Sequence, residues 1–420
     1  MQEGQSGSAL PEYPQSYWLD SVHIPGSGKL QADLEVDVAI VGGGITGITL
    51  GWLLSKEGKR VAILEAGKAL AGTTGHTTAK VTAQHDLIYD AFIGNLGAEK
   101  ARLYYDANRQ ALDFIRGIVK EQGIDCDWTE EDAYLYTVQT SNVGSIDKEW
   151  QAYERLGIPG RREDGIPLPI DAKAAVVMTD QARFHPTAYM KHLLRDFLNG
   201  GGQLYEETVA LSVEQGLPFS RIVTRGGQRV ACRDVVSCSH FPFYDVAGFY
   251  FARMYAERAY ALGIRMEQRD YPGGVYLSVD DPPRSIRRAF FAGDDWLIVG
   301  GERHKTGQGE NTYRHYEALE RFAQTTFGPC DIRYRWSAQD LTTLDKVPYV
   351  GRAVKNEPNV YVASGFRKWG MTGGTAAALL LRDLILGVRN RYEELYAPSR
   401  FHADPSVKTF LSMNADVAKH

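Results

Sequence analysis

Cysteine is scarce in this sequence: four occur among 420 residues, at Cys126, Cys232, Cys238 and Cys330, and none forms a C-x-x-C pair. That excludes a disulfide scaffold, and reduced thiols point to the cytoplasm. Cys238-Ser239-His240 has the C-x-H form of an iron–sulfur ligand pair, but no C-x-x-H follows. It reads as a strand-end cysteine, and no metal site is expected. Apolar runs stay short of the ~18 residues of a membrane span, so no membrane association is expected. The polar start, residues 1–17, lacks the basic tip and apolar stretch of a secretory signal. Basic residues are not in excess either: 47 Lys and Arg stand against 52 Asp and Glu. A phosphate-backbone footprint needs the reverse, so nucleic acid is not an expected partner. Proline, at 17 residues, is ordinary, which excludes low-complexity and collagen-like chains.

Glycine is what the chain has in excess, 43 residues against a usual share of ~7%. Nine of them fall between Gly42 and Gly75. There the apolar run 36–41 reads as a buried strand stopped by Gly42-Gly43-Gly44. Residues 45–57 have helical spacing up to Gly58, and 61–64 read as a second buried strand. Strand, glycine turn, helix, strand is a βαβ unit, and it carries G-x-G-x-x-G as Gly42, Gly44 and Gly47. Gly42 permits the tight turn, Gly44 lets backbone approach a pyrophosphate, and Gly47 lets the helix pack on the strand. The amides at Ile45 and Thr46 open the helix toward the phosphates. Glu65, followed by Ala66, ends the second strand, where its carboxylate can accept ribose hydroxyls and would repel a 2′-phosphate. The polar loop that follows, with Thr73, Thr74, His76, Thr77 and Thr78, can wrap the far side of an extended dinucleotide. Thr77 or Thr78 also reads as the N-cap of a helix start.

Further along, residues 97–122 read as a long amphipathic helix, 133–138 as a strand, and 186–198 as a helix with Pro186 in its first turn. Short strands follow at 204–206, 209–213 and 235–238, a strand-rich stretch at 275–301, and a helix at 312–326. Near the end, 359–363 reads as a buried strand and 375–386 as an apolar helix. The fold class is α/β (α+β overall): a Rossmann-type dinucleotide-binding domain assembled from discontinuous segments plus a mixed or antiparallel-sheet substrate domain. The expected division is 30–100, 180–245 and 340–390 for the cofactor domain, 101–179 and 246–339 for the substrate domain, and 391–420 as a tail or linker.

These residues resemble the D-amino-acid oxidase superfamily of FAD-dependent oxidoreductases, which includes glycine oxidase, sarcosine oxidase and gamma-glutamylputrescine oxidoreductase. The likeness runs through 38–47, Glu65, the threonine-rich loop, His185-Pro186, Glu207-Thr208-Val209, 235–239, 345–351 and 359–366. A narrower likeness, in 72–85, 249–255 and 366–372, is to a bacterial branch often fused to a C-terminal Rieske domain. The sequence to His420 carries no Rieske ligands, which fits either a standalone form or a chain cut before that domain.

The resemblance implies FAD as cofactor, contact of Val209 backbone with the adenine, and a place beside the flavin ring for Gly365, Gly370, Met371 and Thr372. It also implies hydride transfer from the carbon beside an amine nitrogen to flavin N5, with no obligatory acid or base. Tyr134, Tyr136, Phe249, Tyr250, Phe251, Tyr255, Tyr260 and Tyr276 are candidates for a substrate face. Arg253, Arg258, Arg335 and Arg367 are candidates to hold a carboxylate. A catalytic residue is not identified; the nearest candidates are His76, Arg253, Tyr255 and Arg367. Sarcosine oxidase carries a lysine above the flavin where Ile298 aligns here, which implies a slower reaction with oxygen and a dehydrogenase that uses an electron carrier. The expected activity is oxidation of an amine or amino acid. The alternative is an electron-transfer or demethylating component working with a Rieske-type module. A flavin-containing tRNA-modifying relative is disfavoured by the acidic balance.

Overall fold

The run 36–41 forms the centre of a buried strand, Leu34–Val41, in a computed structural model that describes residues 10–400 apart from 217, 246–247, 267–270, 309–310 and 355–356. It pairs in parallel with Val61–Leu64 on one side and Arg229–Ser237 on the other. Val38, Ala39 and Ile40 are fully buried, and burying a side chain the size of Val38 or Ile40 is worth ~1.5–3 kcal/mol. The first sheet runs Tyr349–Arg352, Val360–Ser364, Arg229–Ser237, Leu34–Val41, Val61–Leu64, Gln203–Tyr205, with the hairpin Ala210–Glu214 and Ser220–Thr224 on the Arg229–Ser237 strand. Helices Ile45–Lys56, Pro186–Asn199 and Gly370–Ile385 share one core beside it, and Ala98–Gln122 packs on the last of them.

A second sheet of nine strands runs from Asp331–Thr343 through Met254–Arg265, Asp294–Lys305, Arg284–Phe291, Val275–Ser278, Thr129–Thr137 and Ala174–Arg183 to Lys80–Val81, with Gly160–Glu163 also paired to Ala174–Arg183. It is antiparallel except where Val275–Ser278 runs parallel to Thr129–Thr137. One face packs under the helix Tyr313–Phe327 through Tyr316, Leu319 and Ala323. The other, through Ala261, Ile298 and Trp336, joins the core of the first sheet's helices. The two sheets are therefore joined through one apolar interior. Among the described residues, no helix is long and apolar enough to cross a membrane.

Three expectations change. The last long helix begins at Gly370, five residues before Thr375. Gly370, Gly373 and Gly374 are poor helix formers, but at Gly374 the packing has no room for a larger residue: a Cβ there would stand 2.7 Å from Thr46 Oγ1. Neither Thr77 nor Thr78 caps a helix. Residues Thr73–His76 form a single 3-10 turn, Thr77 follows its end, and the chain enters the edge strand Lys80–Val81. The sheets also divide the chain differently from 100, 179 and 339. Lys80–Val81 lies in the second sheet, and the strands Ala174–Arg183 and Asp331–Thr343 cross two of those limits. Within 391–420, the helix Glu393–Tyr396 packs with Leu395 and Tyr396 buried, while 401–420 lies outside the described residues.

Candidate active site

A cleft of about 450 Å³ opens between the sheets, floored by the glycine loop, a size typical of cofactor sites. At Gly42 the chain turns with φ +114°, and a Cβ there would lie 2.4 Å from the Cys238 carbonyl oxygen. A Cβ at Gly47 would lie 2.0 Å from Gly42 O, so Gly47 serves helix-on-strand packing and does not line the cleft. The helix Ile45–Lys56 has Gly44 as N-cap with no side-chain cap. Its Ile45 N–H donates to Thr74 Oγ1 at 3.0 Å, which draws the threonine-rich loop over the helix start. Glu65 accepts from Gly43 N–H at 2.7 Å and from Gly67 N–H at 2.8 Å. Each carboxylate oxygen keeps a lone pair for a further donor. Val209 lines the cleft with its carbonyl already bound by Arg225 N–H at 2.8 Å, so its own N–H is the group it can offer. Bare glycine backbone, an uncapped helix start and an acceptor carboxylate are the donor set that an adenine dinucleotide such as FAD requires.

The opposite end of the cleft meets a second uncapped helix start, Gly370–Ile385, with Trp369 as N-cap. Gly374 packs against Ile45 and Thr46, so the two starts lie side by side and add their positive ends. Gly370 and Met371 line the cleft. Thr372 does not: its hydroxyl donates to Thr82 O at 2.9 Å and lies 3.1 Å from His85 Nε2. His85 is fully buried, donates from Nε2 to Thr82 O at 2.8 Å, and accepts at Nδ1 from the Tyr104 hydroxyl at 2.7 Å. Burial, then the Arg367 charge, pushes it down to about 3, so it is a neutral imidazole that fixes Trp369, on which it stacks at 4.8 Å.

Beyond Trp369 lies a polar cavity of about 60 Å³, lined among others by Asp86, Glu257, Arg303, Asp340, Arg367 and Lys368. Asp340, Arg367 and Lys368 also line the large cleft, so the two spaces adjoin. Lys368 is paired with Asp340 at 2.8 Å. Arg303 and Arg367 share Asp86 at 4.0 and 3.8 Å, both too long for hydrogen bonds. Arg367 Nη1 is buried and meets no acceptor. Asp86, Lys346 and Arg367 all hold left-handed backbone, with φ of +70°, +64° and +55°. Such strain costs of order 1–3 kcal/mol per residue and gathers at ligand sites. Burial and the Arg367 charge push the Lys346 amine down, and burial with Glu257 pushes the Tyr255 hydroxyl up.

The sequence candidates sort clearly. Gly42, Gly44, Ile45, Thr46, Glu65, Ala66, Thr73, Thr74, His76, Thr77, Thr78, Val209, Gly370 and Met371 line the cleft together. Gly365 lies outside it, in a φ +82° turn packed on Thr343. His76 Nδ1–H donates to Gly72 O at 2.9 Å and so braces its own loop. Arg367 stands where the two spaces meet, and Tyr255 stands near it. Arg253 is elsewhere, stacked on Tyr349 at 4.3 Å and bound to the Gly248 and Pro398 carbonyls. Arg258 holds Ser337, and Arg335 holds Pro11 O and Glu12 O. Tyr134, Tyr136 and Tyr276 belong to the core on the far face of the second sheet, Tyr260 joins that core and also lines the cleft, Tyr250 is buried in another core, and Phe249 and Phe251 are exposed. Ile298 is core, paired in register with Arg287. Sequence reasoning missed Asp86, Glu257, Arg303, Asp340 and Lys368. The nearest signal was adjacency: Asp86 follows His85 at the end of the 72–85 likeness, and Lys368 follows Arg367.

Residues 37–384 match the DAO family, described as FAD dependent oxidoreductase. The chain is 49% identical over 409 residues to YhfW of Bacillus subtilis, named as a Rieske 2Fe-2S iron-sulfur protein, covering 97% of this chain and 80% of that one. It is 22% identical over 419 residues to gamma-glutamylputrescine oxidoreductase of Escherichia coli, covering 91% of this chain and 92% of that one. Among solved structures, glycine oxidase from Geobacillus kaustophilus superposes with a TM-score of 0.73 at 18% identity, over 88% of this chain and 99% of that one. L-proline dehydrogenase from P. horikoshii gives 0.74 at 17% identity, over 88% and 98%. The last two speak to the fold alone.

Proposed function

Because this chain belongs to the DAO family of FAD-dependent oxidoreductases, we propose that it oxidises the C–N bond of a small amino acid whose carboxylate is held by Arg367. The observation that carries this reading is the Arg367 guanidinium. Its Nη1 is buried without an acceptor at the junction of the cofactor cleft and the polar cavity. Leaving a buried donor unpaired costs ~1–3 kcal/mol, which an incoming carboxylate recovers. Bound in the cleft, FAD supplies the two-electron acceptor that takes a hydride, at N5, as an amine becomes an imine.

The chain's own residues bind and orient. Arg303 beside Arg367 adds positive field, which also favours the unprotonated amine, the form able to give up hydride. Asp86, shared by the two arginines, and Glu257 supply acceptors in the same cavity, which Trp369 also lines. No side chain is assigned as a general base. Gly370 and Met371 turn the positive end of their helix toward negative charge developing in the cleft, as the start of the helix Ile45–Lys56, with its Thr46 amide, does for phosphate.

Anaerobic titration of the yellow holoprotein tests the reading. Amino acids and N-methyl amino acids should bleach the flavin absorbance, whereas amines of equal size without a carboxylate should not. Absence of bleaching by every carboxylated amine would remove the function and leave the fold. A second reading, with electrons passed to a Rieske-type iron–sulfur module or another carrier, is supported by the printed name of the Bacillus subtilis relative. It predicts that reduced protein is reoxidised slowly by oxygen and quickly by a one-electron acceptor.

A further inference from the structure

One wall of the cleft, the loop 72–78, is held from behind. Three successive carbonyls in it are bound by side-chain donors that do not belong to the loop. The Ser16 hydroxyl donates to Gly75 O, Trp336 Nε1–H to His76 O at 3.0 Å, and Trp18 Nε1–H to Thr77 O at 2.7 Å. The Leu19 side chain presses so closely that a Cβ at Gly75 would lie 2.6 Å from its Cδ2. Thr74, His76, Thr77 and Thr78 line the cleft in front.

The segment that supplies Ser16 and Trp18 is itself anchored to both halves of the molecule. Arg335 Nε–H donates to Pro11 O at 2.6 Å, and Gln15 N–H donates to Arg335 O at 2.8 Å. On the other side the Thr187 hydroxyl donates to Trp18 O, and the Ser21 hydroxyl lies 2.9 Å from His185 Nε2. Trp18 is fully buried, edge-on to His185 and Trp336 and beneath the Arg287 guanidinium.

We propose that residues 10–21 form a strap that positions the 72–78 loop to grip FAD, making Ser16 and Trp18 positioning residues for the cofactor, while Trp336, which binds His76 O, itself lines the cleft. The inference rests on reading the cleft as the FAD site. A loop of threonine and glycine has many conformations to lose. When its carbonyls are already bound behind, the ordering cost does not fall on cofactor binding, and hydroxyl and N–H donors are what remains toward the cleft. The strap thus acts as preorganisation and touches neither substrate nor reacting atoms.

The test measures the FAD dissociation constant of the full chain stripped of flavin, followed by quenching of flavin fluorescence. Trp18→Phe with Ser16→Ala removes two of the three donors. It should bind FAD at least tenfold more weakly and release it faster, with the circular dichroism of the apoprotein unchanged. Trp128→Phe, which removes an indole bond to Glu130 away from the strap, should bind within twofold of wild type. Equal affinity in the folded double variant overturns the proposal, as does equal weakening by Trp128→Phe. If the double variant does not fold, Trp18→Phe alone decides by the same criterion. Wild-type protein that takes up no FAD overturns the reading of the cleft instead.

Discussion

At Gly42 a side chain would meet both a strained backbone, φ +114°, and the Cys238 carbonyl at 2.4 Å. Gly42→Ala should therefore cost at least about 2 kcal/mol and yield colourless protein, read from urea unfolding and the ratio of visible to ultraviolet absorbance. Gly72, thirty residues on, has nothing within 4 Å of its would-be Cβ, and Gly72→Ala should stay within about 0.5 kcal/mol of wild type. Arg367 makes the sharper functional prediction. Arg367→Met should lower the second-order rate of anaerobic flavin bleaching by an amino acid roughly 10²- to 10³-fold, and Arg367→Lys, which keeps the charge but not the fork, by less. Residues of the first kind were legible because their meaning is local: a glycine spacing, a strand before it and Glu65 after it lie within one short stretch of chain. Asp86, Glu257, Arg303 and Asp340 were not. They come from one loop and three different strands, and a single charged residue in a strand looks the same whether it faces solvent or a substrate.

The element scale is governed by two helices that touch through a missing side chain. Gly374→Val would push the start of Gly370–Ile385 away from Ile45 and Thr46, where even a Cβ would be 3.1 and 2.7 Å distant. The expected outcome is a loss of about 1–3 kcal/mol in urea unfolding, with weaker FAD retention, because the two positive helix ends no longer converge. That helix also marks where sequence reading ran short. Its apolar stripe from Thr375 onward was visible, but its glycine-rich first turn was not, since intrinsic propensity argues for a loop and only tertiary packing argues against it. The helices Ala98–Gln122 and Pro186–Asn199, whose periodicity is strong and whose ends carry Gly123 and Pro186, were read almost to the residue. The threonine-rich loop misled in the other direction: Thr77 looks like a cap, but its hydroxyl accepts from Ala79 N–H at 2.9 Å in a turn.

For the whole molecule, acid stability follows from histidines sealed in the interior. Burial first, with a neighbouring arginine second, pushes both His85 and His185 down to about 3. Between that value and their unfolded value of ~6.5, the unfolded chain binds protons that the folded chain refuses, so stability rises with pH and is lost as pH falls below ~6.5. Each contributes up to ~1.4 kcal/mol per pH unit across that window. Glu149 opposes them: burial raises it to about 7 although it accepts N–H bonds from Ile88, Tyr89 and Asp90. Over ~4.5–7 the folded chain keeps its proton, so that term falls as pH rises. His185→Asn, which retains a capping acceptor for the helix Pro186–Asn199, should flatten the decline of unfolding free energy between pH 6.5 and 5. Glu149→Gln should steepen it. Urea titrations at stepped pH check both.

The cleft draws its walls from positions 41–78, 208–210, 238–261 and 336–371, and this has a consequence for how the protein comes into being. The strand Leu34–Val41 receives its neighbour Arg229–Ser237 only after most of the intervening chain has been made. The glycine loop has no opposite wall until Gly370 and Met371 leave the ribosome, on the order of tens of seconds later at ordinary elongation rates. Flavin capture is therefore a late event in biogenesis. A nascent product cut short before Gly370 would reach the quality-control machinery with its cleft still open on one side.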